Sequence, residues 1–354
     1  MDTARPESPL RYAPLMSSPP RWLPLVAALC TGPLLAEGLA TWRYGSSRPM
    51  PAMFAQTVDG RIGLQPNTMV KGRTPSGTPY AIHIGPDGHR QPAPANPAWL
   101  LTGDSLAFGL GVDDDATAAA HLTHQGIATR TIGAPGYSLQ DALTEAHLTL
   151  GSHPDVQGVF VWVNPIDDDR QLRPGPDFAR DVVAGHVVQA DTPALLRLVL
   201  DSPLAHSHVV STLVSGIGML RLIDNHGYSV VGMGTADDGG WADFHALGEQ
   251  VAAFARQHPC VAVVPVWVPL PGTSVPDRPR PSALERSVLP LDDTAARAGF
   301  QDGLGDVPLL DLSAPFTNRP DAYLPADTHL SATGHALLAH LLADATTHSP
   351  TRCP

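Results

Sequence analysis

Two short stretches of this chain have no polar face. They are Val159-Phe160-Val161-Trp162-Val163 and Val261-Ala262-Val263-Val264. A β-strand points successive side chains to opposite faces, so a strand that is apolar throughout must be covered on both sides. Strands of this kind belong to parallel sheets whose crossover connections are helices. The sequence therefore predicts an α/β fold with a parallel sheet.

From about Trp99 onwards, apolar runs alternate with stretches of helical periodicity, as expected of repeated strand–helix units. Strands are predicted at Trp99–Thr102, Thr129–Ile132, Val156–Val163, Tyr228–Met233, Val261–Val268 and Val307–Leu312. Helices are predicted at Ala116–His124, Leu139–Leu150, Pro193–Ile223, Trp241–Gln257, Asp292–Gln301 and Ala332–Thr346. Asp201 and Pro203 interrupt the longest of these stretches. That interruption favours a two-helix cover over the active-site edge rather than a membrane span.

The composition describes a folded protein of moderate size. The 354 residues are 43% apolar and 16% charged, which allows one large core, or one core with a small added module. The net charge of −12 argues against nucleic acid as a partner, because a phosphate backbone requires a basic surface. Cys30, Cys260 and Cys353 are scattered. Their spacing predicts neither a metal site nor a disulfide framework, and leaves the redox compartment open.

Residues 22–42, WLPLVAALCTGPLLAEGLATW, are the membrane-like stretch of the sequence. They have the length of a span, about 20 residues, although Pro24, Pro33 and Glu37 interrupt them. The preceding tail, residues 1–21, is long for a signal peptide, which favours a retained membrane anchor. A cleaved signal peptide with its exit at Gly38-Leu39-Ala40 and a buried helix of a soluble domain are the alternatives. The first two interpretations place the bulk of the chain outside the cytoplasmic membrane, either membrane-anchored or secreted.

Residues 43–95 have a different character. They are rich in Gly, Pro and Thr, and they contain short alternating runs such as Pro79–Ile84, with a turn signal at Pro86-Asp87-Gly88. This pattern predicts a few strands joined by turns. We interpret residues 43–95 as a small β-rich lead-in that packs on the main domain, residues 96–348.

Groups able to act on an acyl carbon follow three of the predicted strands. Ser105 follows the first in Gly103-Asp104-Ser105-Leu106, Gly136 lies in the turn after the second, and Asn164 ends the third. Ligands of open parallel sheets bind beyond the carboxyl ends of the strands. We therefore expect the Ser105 and Gly136 amides and the Asn164 side chain to form an oxyanion hole.

A base with its orienting carboxylate lies far downstream, in Asp327-Thr328-His329 at the start of the last helical pattern. A serine hydroxyl is a poor nucleophile unless a neighbouring base takes its proton. His329 is predicted to take the proton of Ser105, and Asp327 to hold His329 in the required tautomer.

In their order and distances, these positions resemble the four marker residues of the SGNH (GDSL) hydrolases over roughly residues 96–346. The matching blocks are GDSL with Ser105, GAPGYS with Gly136, WVNPID with Asn164 and DTHLSATGH with His329. The run GDSLAFGLGVDDDAT and the lead-in look like those of the membrane-anchored bacterial branch. The resemblance implies a three-layer α/β/α flavodoxin-like domain and acyl-ester chemistry without a cofactor. A serine esterase or deacylase acting on an acylated glycan or lipid is the leading expectation.

Two departures from the family pattern keep other functions open. The third block is Trp162-Val163-Asn164-Pro165 where members commonly have Gly-x-Asn-Asp, which allows a catalytically inactive binding protein of the same fold. Asp327-x-His329 is one residue shorter than the usual Asp-x-x-His. Similar spacing occurs in branches that look like polysaccharide O-acetyltransferases, so acyl transfer to an envelope glycan is a second expectation.

Other polar residues in these blocks have structural interpretations. Asp104 is predicted to brace the turn before Ser105. The acidic runs Asp113-Asp114-Asp115 and Asp167-Asp168-Asp169 are predicted to be solvated loops, since no His or Cys accompanies them at metal-ligand spacing. His335 and His340, on the last helix, are predicted to be packing or surface residues.

Overall fold

The computed structural model describes residues 52–57, 60–74, 76–163, 180–183, 185–189, 194–202, 240–275, 294–325 and 327–348, with short pieces at 31–32, 34–39, 48–49, 207 and 209–210. In the lead-in, the strands are β1 (Arg48–Pro49), β2 (Phe54–Gln56), β3 (Ile62–Leu64), β4 (Thr68–Arg73) and β5 (Pro79–Ile84). β2 pairs antiparallel with β3, β4 pairs antiparallel with β5, and β1 runs parallel to β4. The strand expected at Pro79–Ile84 is therefore present.

Five parallel strands form the central sheet of the main domain. The strands after the lead-in are β6 (Trp99–Thr102), β7 (Thr129–Thr131), β8 (Gly158–Val163), β9 (Arg180–Val183), β10 (His186–Gln189), β11 (Ala262–Trp267) and β12 (Leu310–Asp311). β9 and β10 form a separate antiparallel hairpin. The others lie in the spatial order β12-β11-β8-β6-β7, and every pair of neighbours is parallel. The predicted α/β fold with a parallel sheet is confirmed.

Helices cover both faces of this sheet. The described helices are α1 (Ser105–Phe108), α2 (Ala118–His124), α3 (Leu139–Ser152), α4 (Ala194–Leu200), α5 (Gly240–Gln257), α6 (Pro271–Ser274), α7 (Thr294–Leu304), α8 (Ser313–Phe316) and α9 (Ala332–His348). α3, α5 and α7 bury apolar side chains against one face, and α1, α2, α8 and α9 bury theirs against the other. The described part of the main domain thus has three layers, α/β/α.

Strand β8 shows why both faces are covered. Val159, Val161 and Val163 belong to one core, whereas Phe160 and Trp162 belong to the other. The Phe160 ring stacks on Trp99 of the adjacent strand, with 4.5 Å between ring centroids. Burying each large apolar side chain contributes about 1.5–3 kcal/mol, so uncovering either face would be costly.

The lead-in shares a third core with the main domain. Met53, Val70, Tyr80 and other lead-in side chains pack with Phe108, at the end of α1, and with residues of the loop after β7. Because Ser105 begins α1 and Gly136 lies in that loop, the lead-in packs directly behind the two segments that carry candidate site residues.

Some predicted elements differ from the structure or fall outside it. The last predicted strand is reduced to Leu310–Asp311, and the described part of the Pro193–Ile223 stretch is helical over Ala194–Leu200. Tyr228–Met233 lies outside the described residues. The hairpin β9–β10 was not predicted, because its two short strands lack a long alternating pattern.

Cys260 is disulfide-bonded. The spacing of the cysteines, which indicates no disulfide framework, did not predict this bond. Cys30 and Cys353, the other cysteines of the sequence, lie outside the described residues. Spacing along the chain could not reveal the bond, because a disulfide depends on which distant segments the fold brings together.

Part of the predicted membrane segment is described. Residues 31–32 and 34–39 are helical, and Leu34, Leu35 and Leu39 are exposed. Among the helices that the structure describes, none combines the length and the apolar composition of a membrane span.

Candidate active site

Ser105 is the first residue of α1, and Gly103 and Asp104 connect it to the end of β6. The Asp104 side chain accepts a hydrogen bond of 2.9 Å from the Leu106 N–H and caps the helix. Gly103 has a φ of 146°, a conformation that favours glycine. A Cβ at this position would lie 2.8 Å from the Cβ of Trp162. A sharp turn therefore presents Ser105 at the end of a buried strand, and Asp104 braces that turn as predicted.

The loop that contains Gly136 packs against this turn. The Ala134 N–H donates a 3.2 Å hydrogen bond to Gly103 O, and a Cβ at Gly133 would lie only 2.4 Å from the same oxygen. Gly136 is exposed, with a φ of 78°, in a tight turn that the Tyr137 N–H closes onto Ala134 O. The structure thus brings the loops of Ser105 and Gly136 together.

The side chains of Ser105, His329 and Asp327 form a continuous hydrogen-bonded chain. His329 Nε2 lies 2.9 Å from Ser105 Oγ, and His329 Nδ1 lies 2.7 Å from Asp327 Oδ1. With the carboxylate accepting from Nδ1–H, Nε2 is left to accept the serine proton. The His329 and Asp327 side chains are 19% and 18% exposed, so the group is accessible from solvent.

The short Asp-x-His spacing is compatible with this geometry. Asp327 Oδ1 also accepts from the backbone N–H groups of Thr328 (2.7 Å) and His329 (3.2 Å). The Leu324 N–H in turn donates a 2.8 Å hydrogen bond to His329 O. These bonds close the loop, so that the His329 ring reaches the Asp327 carboxylate although only one residue separates them, where the family pattern has two.

The surroundings of Asp327 favour its ionised form. Burial by itself raises the pKa of this carboxyl, but the hydrogen bonds and charge of His329, with the backbone N–H groups, outweigh burial and hold the pKa below its usual range. The charge of Asp327 also acts on Tyr80 of the lead-in. Burial first, and then the Asp327 carboxylate, raise the pKa of Tyr80 to about 12, against an opposing effect of Arg90. Sequence reasoning missed Tyr80, because nothing in the pattern of β5 marks it as a neighbour of the last loop.

Asp113 and Asp115 are exposed, as expected of a solvated loop, but the first two residues of the acidic run also contact β5. Asp113 Oδ1 accepts a 2.8 Å hydrogen bond from the Ala81 N–H. Asp114 accepts from the His83 N–H at 3.1 Å and from Arg90 Nε at 3.0 Å. β5 lies at the edge of its sheet, so some of its N–H groups have no partner on a neighbouring strand. The two carboxylates bind N–H groups of this strand. Asp167-Asp168-Asp169 lies outside the described residues.

Asn164 also lies outside the described residues. The strand that precedes it, β8, ends at Val163 and pairs with β6. The role of Asn164 in an oxyanion hole stays a prediction.

A cavity of about 310 Å³ lies between the lead-in and the loop after β7. Its lining includes the side chains of Gln56, Arg61, His89 and Glu145, together with Ala134 and Tyr137 on either side of the Gly136 turn. Arg61 Nη1 and Glu145 Oε2 are 2.7 Å apart. The cavity therefore offers hydrogen-bond donors and acceptors of both charge signs beside that turn.

Comparison with known proteins gave similarity to solved structures only. No family model and no curated protein matches the chain. A candidate lipolytic protein of the G-D-S-L family from Desulfitobacterium hafniense is 10% identical, with a TM-score of 0.37, over 70% of this chain and 98% of that one. The psychrotrophic esterase EstA from Pseudoalteromonas sp. is 10% identical, with a TM-score of 0.36, over 71% and 97%. TesA is 10% identical, with a TM-score of 0.36, over 71% and 98%. Likenesses of this size do not establish a family.

His335 lies behind the loop that follows α1. Its side chain is 1% exposed, and within the described residues neither ring nitrogen has a hydrogen-bond partner. Burial first, and then the charges of Arg90, His121 and His329, lower the pKa of His335 to about 3. His340, on the same helix, is exposed. The prediction of a packing residue and a surface residue is thus confirmed, but the packing residue is a buried neutral histidine.

The neutral state of His335 predicts a pH dependence of stability. A histidine in an unfolded chain titrates near pH 6.5, well above the folded-state value of about 3. The unfolded state therefore binds the proton first, and stability falls as the pH drops through this interval. Between about pH 6.5 and 5, we expect wild type to lose more stability than His335→Leu. The difference between the two losses in free energy of unfolding should be on the order of 1 kcal/mol. Urea unfolding at each pH measures the difference.

His340→Leu is the matched control and should keep the wild-type pH dependence. An equal loss of stability in wild type and His335→Leu would show that His335 is not held neutral in the folded protein.

Proposed function

We propose that this chain is a serine esterase or deacylase with Ser105 as its nucleophile. The observation that carries the proposal is the hydrogen-bonded chain from Ser105 through His329 to Asp327, which joins residues 224 positions apart. Nucleophile, base and orienting carboxylate in mutual contact are the requirement for activating a serine hydroxyl. The 2.9 Å contact also favours an active enzyme over an inactive binding protein of the same fold.

In the proposed reaction, Ser105 Oγ attacks the acyl carbon while its proton passes to His329 Nε2. The tetrahedral intermediate collapses, the bond to the alcohol oxygen breaks, and His329 returns the proton to the leaving alcohol. Water then attacks the acyl-enzyme with His329 again as the base, which releases the acid and restores Ser105. Asp327 stabilises the imidazolium that forms in each half of the reaction.

Hydrogen-bond donors are required where negative charge develops on the acyl oxygen. We assign this role to the amides of Ser105 and Gly136 and to the side chain of Asn164. Contact between the first two loops supports the assignment, since Ala134 N–H binds Gly103 O between them. Losing one such donor typically costs about 10²–10³ in kcat.

Replacing the nucleophile tests the proposal directly. Ser105→Ala should abolish hydrolysis of a short-chain aryl ester, because no other group in the proposed reaction attacks the acyl carbon. It should also abolish labelling by a fluorophosphonate probe, which mass mapping of wild type should locate on Ser105. Circular dichroism should show an unchanged fold.

Ser152→Ala, at the exposed end of α3, is the control and should keep full activity and labelling. Undiminished turnover by Ser105→Ala would refute the assignment. A wild-type protein that never labels at Ser105 would favour the inactive binding protein.

Acyl transfer to a glycan hydroxyl is a second candidate. The cavity beside the Gly136 turn favours it, because Gln56, Arg61 and Glu145 could bind the hydroxyl groups of a sugar. The acyl-enzyme would be the same, and a sugar hydroxyl would replace water, giving its proton to His329 as the new ester forms.

Product analysis separates the two reactions. With an aryl acetate as donor and glycan oligosaccharides as acceptors, transfer predicts an acetylated oligosaccharide by mass spectrometry, dependent on Ser105. Release of free acid alone across a range of acceptors would exclude transfer.

We further propose that the main domain works outside the cytoplasmic membrane, tethered through residues 22–42 or secreted after cleavage. The disulfide at Cys260 supports this location, because such bonds persist in oxidising compartments. An ester-bearing envelope glycan or lipid would then be within reach.

Fractionation of cells that express the full chain tests the location. We expect the protein in the membrane fraction if residues 22–42 are retained, and outside the cytoplasmic membrane in soluble form if they are cleaved. Deletion of residues 1–42 should leave it in the cytosolic fraction. N-terminal sequencing then distinguishes a retained anchor from a cleaved signal. A full-length chain with an intact N-terminus that stays in the cytosolic fraction would contradict the proposal.

A further inference from the structure

Arg90, at the end of the lead-in, inserts its guanidinium into the loop that follows α1. The residue is 1% exposed. Its Nη1 donates to Phe108 O at 2.8 Å and to Gly109 O at 2.5 Å, and its Nη2 donates to Val112 O at 2.6 Å. One side chain thus binds three backbone carbonyl groups, one at the end of α1 and two in the loop that follows it.

The buried charge of Arg90 is balanced locally. Its Nε donates to Asp114 Oδ1 at 3.0 Å, and its guanidinium carbon lies 5.0 Å from the centre of the Phe108 ring. Removing a buried cation from water is costly unless it is paired and fully hydrogen-bonded. Each guanidinium nitrogen of Arg90 has an acceptor, and these acceptors all belong to residues 108–114. The position of Arg90 and that of this segment therefore depend on each other.

The loop that Arg90 binds also closes the turn that carries Ser105. α1 is only one turn long, so its last carbonyl groups have no partner within the helix. Gly109 takes a left-handed conformation at its end, and the Leu110 N–H donates a 3.0 Å hydrogen bond back to Ser105 O. Arg90 donates to Phe108 O at the end of α1 and to Gly109 O and Val112 O after it. Gly109 O also accepts a 3.4 Å hydrogen bond from the Val112 N–H.

We propose that Arg90 is a positioning residue for the nucleophile. It holds residues 108–112 so that Ser105 Oγ stays within hydrogen-bond distance of His329 Nε2. A planar guanidinium can bind several carbonyl groups in fixed directions, which a lysine ammonium cannot reproduce. The lead-in is accordingly part of the catalytic unit rather than a spacer. This inference rests on the proposed esterase activity, since its readout is the rate of that reaction.

If the role of Arg90 were purely structural, Arg90 would only attach the lead-in to the main domain. Arg130 provides the matched comparison. Its side chain is 6% exposed and also holds the lead-in, through a 2.6 Å hydrogen bond to Pro94 O and an ion pair of 3.3 Å with Asp87. Arg130 lies on β7. Replacing it weakens the attachment of the lead-in without changing the donors to residues 108–112.

The experiment compares Arg90→Lys with Arg130→Lys in the full chain. For each, kcat and KM are measured on a short-chain aryl ester, per active site titrated with the fluorophosphonate probe and below the unfolding temperature. Arg90→Lys should lower kcat by about 10- to 100-fold, because small misplacements of a nucleophile have effects of this size. Its KM should stay within about twofold, since the change affects the reacting geometry. Arg130→Lys should keep the wild-type kcat per site, even if its melting temperature falls.

Wild-type kcat in folded Arg90→Lys would overturn the proposal, as would an equal loss of kcat in Arg130→Lys. If Arg90→Lys does not fold, Asp114→Glu is the second variant, because it keeps the neutralising charge and only shifts the guanidinium. A lower kcat with unchanged KM would support the proposal, and an unchanged kcat would overturn it.

A wild-type protein without labelling or turnover would refute the proposed function and this role with it. Normal labelling with unaffected kcat in the variants would refute the role of Arg90 alone.

Discussion

Burial of both faces of the parallel sheet is the constraint on which the rest of the structure depends. The strands β6, β8 and β11 contribute alternate side chains to two separate cores, so neither face can be exposed without losing a large part of the apolar burial. Strands held in this way end at defined positions along one edge. Ser105 follows β6 at that edge, and the loop of Gly136 follows β7. The candidate site residues thus lie in turns, where a residue can be exposed without disturbing either core.

The turns themselves are held by close backbone contact. Gly103 and Gly133 approach so closely that a side chain on Gly133 would collide with the backbone of Gly103. The loop of Asp327 and His329 is closed by its own hydrogen bonds. Rigid turns of this kind hold Ser105 and His329 at hydrogen-bond distance before any substrate arrives, which is the preorganisation that serine chemistry requires.

A layer of buried polar groups lies behind Ser105, where apolar side chains would avoid the cost of burying charge. Arg90 carries its charge into this layer, Asp114 balances it, and His335 stays neutral beside it. On the neighbouring strand β5, Tyr80 is kept protonated by burial and by the charge of Asp327. Burying such groups is costly unless their hydrogen bonds are made. Arg90 makes four hydrogen bonds, and three of its acceptors are backbone carbonyl groups of residues 108–112, which follow Ser105 in the chain. The lead-in contributes Arg90 and Tyr80 and is therefore part of this arrangement.

The sequence by itself determined the layered α/β fold and the positions of Ser105, Gly136, Asp327 and His329 in the chain. Apolar strands, helical periodicity and turn glycines are local signals, and parallel topology brings strand ends to one edge. Only the tertiary structure decided that Asp113 and Asp114 bind β5, that Arg90 enters the loop behind Ser105, and that Cys260 forms a disulfide. It also decided that Asp327 and His329 meet despite their short spacing. Each of these depends on contacts between segments far apart in the chain, and charge or spacing along a sequence does not show which distant groups will satisfy one another.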